Sequence, residues 1–428
     1  MPSTYEFWLL DDHGRRITLL NNLAYFSYSR AVKGYGTIDI GIPYREFRQK
    51  VFPIFQPDWR IDVWRSPDKG FNLRREATYL LRLYKIYTRE TDNIQILRFY
   101  GRSLKDLLRR RYVIQPAGYS QTYKTDYIDD MMKEIVKEQM LYGSVLDADA
   151  VLDNTRAFPN GEFFVQGDVS LGPYYISTFP DRQVLDVLRE LQDASIQLHE
   201  ENPLINNRIY FDIIPQDIEG FLNYILAEDG DPILDESGEP LYDEGSGDSN
   251  IAQTLKFMTF ADLRGQDRTA SALIFSTDNA NIEQPYYSKT YMEEENSIVV
   301  KGFGRGDSRP SARVTDTQRA GASRWNFCEG LEDASTEPDQ DNLEYYAYPR
   351  LRENDVNESL SVVFLNVPGS EDTPRSLYGV DWDLGDLLPV AYIGKQFNVE
   401  VSIVYVAIDE NGRETITGRN EVNASDQA

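Results

Sequence analysis

Over the first hundred residues, apolar positions recur in short runs broken by turn chemistry. Tyr5 to Leu10, Ile17 to Leu20, Ala24 to Tyr28, Thr37 to Ile42, Trp59 to Trp64, Tyr79 to Tyr87 and Ile94 to Phe99 read as strands. The breaks are of the kind seen at Asp11-Asp12-His13-Gly14 and Lys33-Gly34-Tyr35-Gly36. Short strands at this spacing predict a small barrel or sandwich.

The period then changes to that of helices. Ser103 is placed to cap a helix carrying Leu104, Leu107, Leu108 and Arg111. A second helix is predicted from Asp126 to Tyr142, with Ile128, Met131, Met132, Ile135, Val136 and Met140 on one face. Its first turn holds Asp126, Asp129 and Asp130, where the helix dipole favours carboxylates. A third helix follows Asp181, with Val184, Leu185, Leu188, Leu191 and Leu198 in one stripe. Burying that stripe is worth on the order of 10 kcal/mol, so the helix must pack on something.

Strand-like runs return at Arg208 to Ile214, Thr254 to Phe260, Ala272 to Ser276, Ser297 to Gly302, Ser359 to Val367 and Val399 to Ile408. The last leads into Asp409-Glu410-Asn411-Gly412, a hairpin signal. Two stretches depart from the pattern. Residues 228–248 are acidic, without Lys or Arg, and repeat Gly230-Asp-Pro-Ile-Leu-Asp-Glu as Gly238-Glu-Pro-Leu-Tyr-Asp-Glu, which suits a protruding hairpin. Arg305 to Asn342 is polar and poor in aliphatics, and reads as a long arm. The fold class expected is α+β and β-rich with an α/β middle. Its segments are a first β-rich region 1–100, an α/β region 101–205, and strands 206–304 carrying the acidic insertion 228–248 and interleaved with the first region. An arm and second β-rich region, 305–428, complete the chain.

At 428 residues the chain exceeds one ordinary core. Its 44 Lys and Arg against 70 Asp and Glu give a net charge of −26, which repels nucleic-acid backbones and anionic membranes alike. Cys328 is the sole cysteine, so neither an intramolecular disulfide nor a cysteine-built metal site can form. The start lacks the basic and apolar segments of a signal peptide, and no apolar run approaches the roughly 18 residues that span a bilayer. A cytosol-like compartment is expected.

Each candidate for chemistry has a plainer reading. Asp229, Asp231, Asp235 and Glu236 do not have calcium-loop spacing, because Pro232 and Leu234 stand at ligand positions. His13 and His199 are far apart and fit surface or turn roles. Gly302-Phe-Gly-Arg-Gly-Asp lacks the Gly-Lys-Ser/Thr ending of a phosphate loop, and the Arg305-Gly306-Asp307 tripeptide is too short to carry weight. Arg109, Arg110 and Arg111 suit a helix end or a subunit contact better than a DNA site. Carboxylate pairs for glycoside cleavage are uninformative in so acidic a chain. No catalytic, cofactor-binding or metal-ligating residue is nominated, no cofactor is expected, and the chain does not read as an enzyme.

The chain resembles the hub-like tail proteins of long-tailed bacteriophages, which are related to the baseplate hubs of contractile tails. The resemblance runs over nearly the whole length. It lies in Tyr28-Ser-Arg30 leading to Gly36-Thr-Ile-Asp-Ile-Gly-Ile-Pro43, then Tyr100-Gly-Arg-Ser-Leu-Lys-Asp-Leu-Leu-Arg-Arg-Arg111, then Tyr127 to Val136. Phe260-Ala-Asp-Leu-Arg-Gly-Gln-Asp-Arg268 with Ile274-Phe-Ser276, and Tyr378-Gly-Val-Asp-Trp-Asp-Leu-Gly-Asp386, complete the series in order. The acidic repeat and the polar stretch after Gly302 depart from the pattern. No hydrolase or fibre domain is read after the last strands. The resemblance implies a homotrimer with two tail-tube-like β-barrel domains per subunit, forming a ring below the tail tube through which DNA passes. Its implied neighbours are a distal tail or tail-tube protein and tail-tip, fibre or tape-measure proteins. Stable nucleic-acid binding and membrane insertion are not expected, and the implied location is the virion tail, assembled in the host cytoplasm. The alternatives are a receptor- or carbohydrate-binding tail component and, further off, a glycan-degrading tail enzyme.

Overall fold

The inward positions of the first strands set the frame. In the sequence Tyr25-Phe-Ser-Tyr28, Phe26 and Tyr28 are buried while their neighbours are not, so this run has one core face. The computed structural model describes residues 3–47, 56–67, 73–89, 93–114, 122–141, 157–159, 161–179, 182–201, 206–217, 252–304, 309–335, 339–371, 373–409 and 412–420.

The strands are β1 (Thr4–Leu10), β2 (Arg16–Leu19), β3 (Tyr25–Ala31), β4 (Thr37–Pro43), β5 (Arg60–Ser66), β6 (Arg74–Thr88) and β7 (Gln95–Ser103). Then come β8 (Thr122–Tyr127), β9 (Phe163–Val165), β10 (Tyr174–Phe179), β11 (Ile209–Asp217), β12 (Gln253–Ala261) and β13 (Phe275–Ser276). The rest are β14 (Ile282–Thr290), β15 (Ser297–Lys301), β16 (Ser311–Thr315), β17 (Glu329–Asp333), β18 (Asn357–Leu365), β19 (Leu387–Tyr392), β20 (Lys395–Glu400), β21 (Ile403–Ile408) and β22 (Glu414–Arg419). Helices are α1 (Tyr44–Phe47), α2 (Asp106–Arg109), α3 (Ile128–Val136), α4 (Val184–Glu201), α5 (Thr317–Ala320) and α6 (Leu343–Glu353). The chain is β-rich with helices in its middle.

It falls into two compact units, Met1–Glu283 with Val363–Glu421, and Gln284–Val362. In the first unit one large sheet runs β18–β22–β21–β3–β4–β7–β6–β5–β1–β2. Ile403 to Ile408 pair antiparallel with Ala31 to Phe26, so the last strands of the chain share a sheet with the first. Ladder pairing, and not nearness in sequence, builds this sheet. The opening strands form part of this larger sheet. Among the described residues no ladder joins its two ends.

Helices α3 and α4 cover a second layer. Met131, Met132, Ile135 and Val136 pack with Val184, Leu185, Leu188 and Leu191 over Phe211 and Phe257 of β11 and β12. In the second unit β15 lies between β16 and β17, and Ile298 and Val300 pack on Leu343, Ala347 and Leu351 of α6.

Several expected elements change form. The helix expected from Ser103 shrinks to α2, after which Tyr112 forms an antiparallel bridge with Gln183, and Lys105 turns its ammonium to the carbonyls of Ala31 and Val32 at 2.9 and 2.8 Å. The helix expected from Asp126 begins at Ile128, since Asp126 belongs to β8, and it ends in a wide turn at Lys137–Leu141. Val399 to Ile408 is two strands, broken where the Val401 amide donates to Asp386 and the Ser402 amide to Arg419. The arm expected at Arg305 to Asn342 contains β16, α5 and β17. The acidic repeat 228–248 and Asp181 lie outside the described residues.

Candidate functional site

The sequence motifs that lie far apart along the chain meet in one buried polar joint. Arg30, at the end of β3, donates to the Tyr378 hydroxyl at 2.7 Å and to Asp383 Oδ1 at 2.9 Å. Arg74 donates to the other oxygen of Asp383 at 2.8 Å. Glu76 accepts from the Tyr28 hydroxyl at 2.8 Å, and Arg65 donates to the Tyr378 carbonyl at 3.2 Å. Burial opposes the charge on Asp383, but Arg30 and Arg74 outweigh it and hold the carboxyl below its usual range. Burial, reinforced by Glu76, pushes the Tyr28 hydroxyl well above its ordinary value and keeps it a neutral donor. Gly379 has a φ of +81°, and a Cβ there would lie 2.7 Å from the Arg74 guanidinium, so this turn requires glycine.

A second contact links Leu263-Arg-Gly-Gln-Asp-Arg268 to the same motif. The Gln266 amide and the Arg268 guanidinium donate to Asp386 at 2.7 and 2.6 Å, and the Gly265 amide donates to the Gly385 carbonyl at 3.2 Å. Gly36 and Ser103 exchange contacts in the same way: the Gly36 amide donates to Ser103 Oγ and the Ser103 amide to the Gly36 carbonyl. These motif residues thus engage one another, which is the work of a joint holding three parts of the chain in register.

The basic triplet has a local cause. Asp106 is buried at the start of α2 and accepts from Arg102, Arg109 and Arg110 at 3.1, 2.8 and 2.9 Å. Burial alone would raise its pKa, yet the arginine hydrogen bonds hold it below the usual range. Arg111 instead lies over the Phe158 ring at 5.0 Å. His13 stands in the turn after β1, its Nδ1 3.1 Å from Asp12. His199, at the end of α4, has its Nδ1 2.6 Å from the Asn206 carbonyl. Asp11, Asp12 and His13 are close enough to resemble a metal set. Asp11 nonetheless already accepts from the amides of His13 and Arg15 and from Arg15 Nε, the geometry of a tight turn. Gly302 donates to the Pro310 carbonyl after β15, while Arg305 to Asp307 and the four acidic residues Asp229, Asp231, Asp235 and Glu236 lie outside the described residues.

A cavity of about 330 Å³ opens beside the joint, lined by Arg30, Arg75, Glu76, Lys105, Asp212 and Arg264 among others. Its cations are engaged: Arg75 with Asp62 and Asp217, Arg264 with Asp212, Arg30 as described. Burial lowers the pKa of Lys105.

One surface was not foreseen from the sequence. Strand β5 begins at Arg60 opposite Leu80, so β6 outruns it, and Arg82 to Thr88 are exposed at every position. Among the described residues, no strand pairs with this half of β6 on the side away from β7. Leu83, Tyr84, Ile86 and Tyr87 stand on both of its faces, with Ile94 at the tip of the ribbon it forms with β7. The signal was present: apolar residues at both parities in Leu83-Tyr-Lys-Ile-Tyr87 do not fit a strand with one wet face.

Solved structures similar to this chain include the 43 kDa tail protein of prophage MuSo2 from Shewanella oneidensis, with a TM-score of 0.47 and 11% identity over 97% of each chain. The tail protein from Neisseria meningitidis MC58 has a TM-score of 0.46 and 11% identity over 98% of this chain and 97% of that one. Prophage tail protein gp18 from Listeria monocytogenes EGD-e has a TM-score of 0.44 and 9% identity over 98% and 96%. No protein-family model matches the chain, and no curated protein matches it.

Proposed function

We propose that this chain is a structural subunit of a bacteriophage tail, a baseplate or tail-tip hub protein that assembles as a homotrimeric ring below the tail tube and does no chemistry of its own. The observation that carries the reading is the outer half of β6. An exposed edge with apolar side chains on both faces is an aggregation hazard in a monomer, and a neighbour that covers it removes the hazard. The order of the sequence motifs supports the tail assignment, and their mutual contacts in the joint support a structural role. On this reading each subunit supplies two tube-like β-rich parts, giving a pseudo-sixfold ring.

The charge fits the task. Duplex DNA carries about one negative charge per 1.7 Å of axis, and a wall of like charge lets it slide without sticking. The net charge of −26 is of the right sign for a lumen through which DNA passes. The partners are a tail-tube or distal tail protein above and tail-tip, fibre or tape-measure proteins below, in the virion.

Imaging of assembled tails tests the proposal, with mass measurement of the purified oligomer beside it. Three copies around the tail axis and an acidic lumen are expected. A ring of six copies refutes the trimer, a basic lumen refutes the DNA-passage role, and turnover of cell-wall or capsular glycan by the purified chain refutes the non-enzymatic assignment.

A further inference from the structure

The first unit is completed by a segment for which its opening strands must wait. Residues 363–419 return to it after the second unit and supply β19 to β22. Strand β21 enters between β3 and β22, so one side of β3 is paired by residues that lie nearly four hundred positions further along the chain. Val404 and Val406 of β21, opposite Arg30 and Tyr28, are wholly buried. So is Trp382, with its ring 5.1 Å from Tyr378 and 6.2 Å from Phe364. The Tyr5 hydroxyl donates to Glu414 Oε1 at 2.5 Å, which fastens β1 to β22.

The charges of the buried joint make the dependence specific. The first strands supply Arg30, Arg65 and Arg74 to it with one carboxylate, Glu76. The returning segment supplies Asp383 and both the hydroxyl and the carbonyl of Tyr378. Arg65 is 1% exposed and lies over the Tyr378 ring at 4.8 Å. Without that segment, closing the first strands gathers three guanidinium groups around a single anion, and like charges held close in a low-dielectric setting repel. Strand β3 also stays an open edge with Phe26 and Tyr28 on one face, a template for pairing with other chains. At about 5–20 residues per second, roughly 20–75 s of synthesis separate Ala31 from Ile403.

We infer that residues 363–419 act as a strap: the strands between Thr4 and Ser103 do not hold their native pairing until the strap docks on β3 and Asp383 enters among the three arginines. Folding of the first unit, and with it any surface the folded unit presents to other subunits, is withheld until the strap arrives. The inference stands on contacts within the first unit and does not depend on the ring proposed above.

Refolding of the full chain from denaturant, read by pulsed hydrogen exchange, tests it. The Val32 amide donates to the Ser402 carbonyl at 2.8 Å and reports docking of the strap. The Ala24 and Ser103 amides donate to the carbonyls of Gly41 and Gly36, within the first strands, at 2.8 and 2.9 Å. Ala24 and Ser103 should gain protection no earlier than Val32. Val404→Ala, a truncation within the strap, should slow protection of all three amides by about threefold or more, as expected of a contact formed in the rate-limiting step. Protection of Ala24 and Ser103 in a phase that precedes Val32 overturns the inference. So does a Val404→Ala chain that folds at the parental rate and only unfolds faster, because docking then follows closure of the first strands.

Discussion

Lys133 Nζ donates to Asp129 Oδ2 at 2.8 Å with both side chains wholly shielded from water. Lys133 also reaches Asp130 Oδ1 at 3.3 Å. Asp129 in turn accepts from the Leu171 amide, and Asp130 from the amides of Val169 and Ser170. The cluster thus fastens the loop before β10 to the first turn of α3.

Removing the cation leaves two buried carboxylates facing each other. Lys133→Met should lower stability by about 3–5 kcal/mol, the range for breaking a buried pair from one side. Lys133→Met with Asp129→Asn removes the buried charge stranded by the single change while keeping an acceptor for the Leu171 amide, and should cost less than the single change. Denaturant melts of the three chains check this; a single variant as stable as the parent overturns it.

The Asp106 cluster gives a pH signature. Its folded pKa is depressed, so its contribution is present above the ordinary aspartate value of about 3.9 and is lost as pH falls through the lower folded value. Asp106→Asn should therefore be less stable than the parent by a constant margin from pH 7 to pH 5. The margin should close at more acid pH. A margin that widens on acidification contradicts the assignment.

Local pattern made much of this fold legible. The inward alternation of Phe26 and Tyr28, the stripe Val184, Leu185, Leu188 and Leu191, and the hairpin before β22 all follow from nearest neighbours in sequence. What pairs with what did not follow, because β21 meets β3 through contacts nearly four hundred residues apart, and no local period encodes that. The arginines around Asp106 were visible as a charge run, but the buried anion that gathers them was not. The joint was legible only as a series of motifs in order. That Arg30 reaches Tyr378 and Asp383 required coordinates.

Packing in the large sheet yields a steric prediction. A Cβ on Gly418 would lie 2.7 Å from Cζ3 of Trp382, which is fully buried and donates its Nε1–H to the Ser376 carbonyl at 3.1 Å. Gly418→Val should cost about 1–3 kcal/mol by overpacking. Adding Trp382→Phe frees part of that space. The cost of Gly418→Val measured in the Trp382→Phe background should then be smaller than in the parent, and equal costs in a double-mutant cycle reject direct contact as the cause.

Arg319 anchors the second unit. Its guanidinium donates to Glu294, to the carbonyl of Leu351 at 2.9 Å, and to those of Glu295 and Asn354 at 3.0 and 2.9 Å. Arg319→Met leaves Glu294 buried with only amide donors from Asn296 and Asn326, and strips three carbonyls of a shared partner. A loss of about 3 kcal/mol is expected, at the lower end for a buried pair because Arg319 is partly solvated. Arg319→Lys should recover little, since an ammonium cannot reproduce the planar fork. Burial opposes the charge on Glu294, but the hydrogen bonds of Asn326, Asn296 and Arg319 outweigh it and depress its folded pKa. The penalty should therefore be full at neutral pH and shrink as pH falls below about 4. Hydrogen exchange locates the effect: the amides of Ser297 to Lys301 should exchange faster in Arg319→Met, while those of Ile38 to Ile42 in the first unit keep their parental rates. Equal acceleration in both sets shows global unfolding and rejects Arg319 as an anchor of the second unit alone.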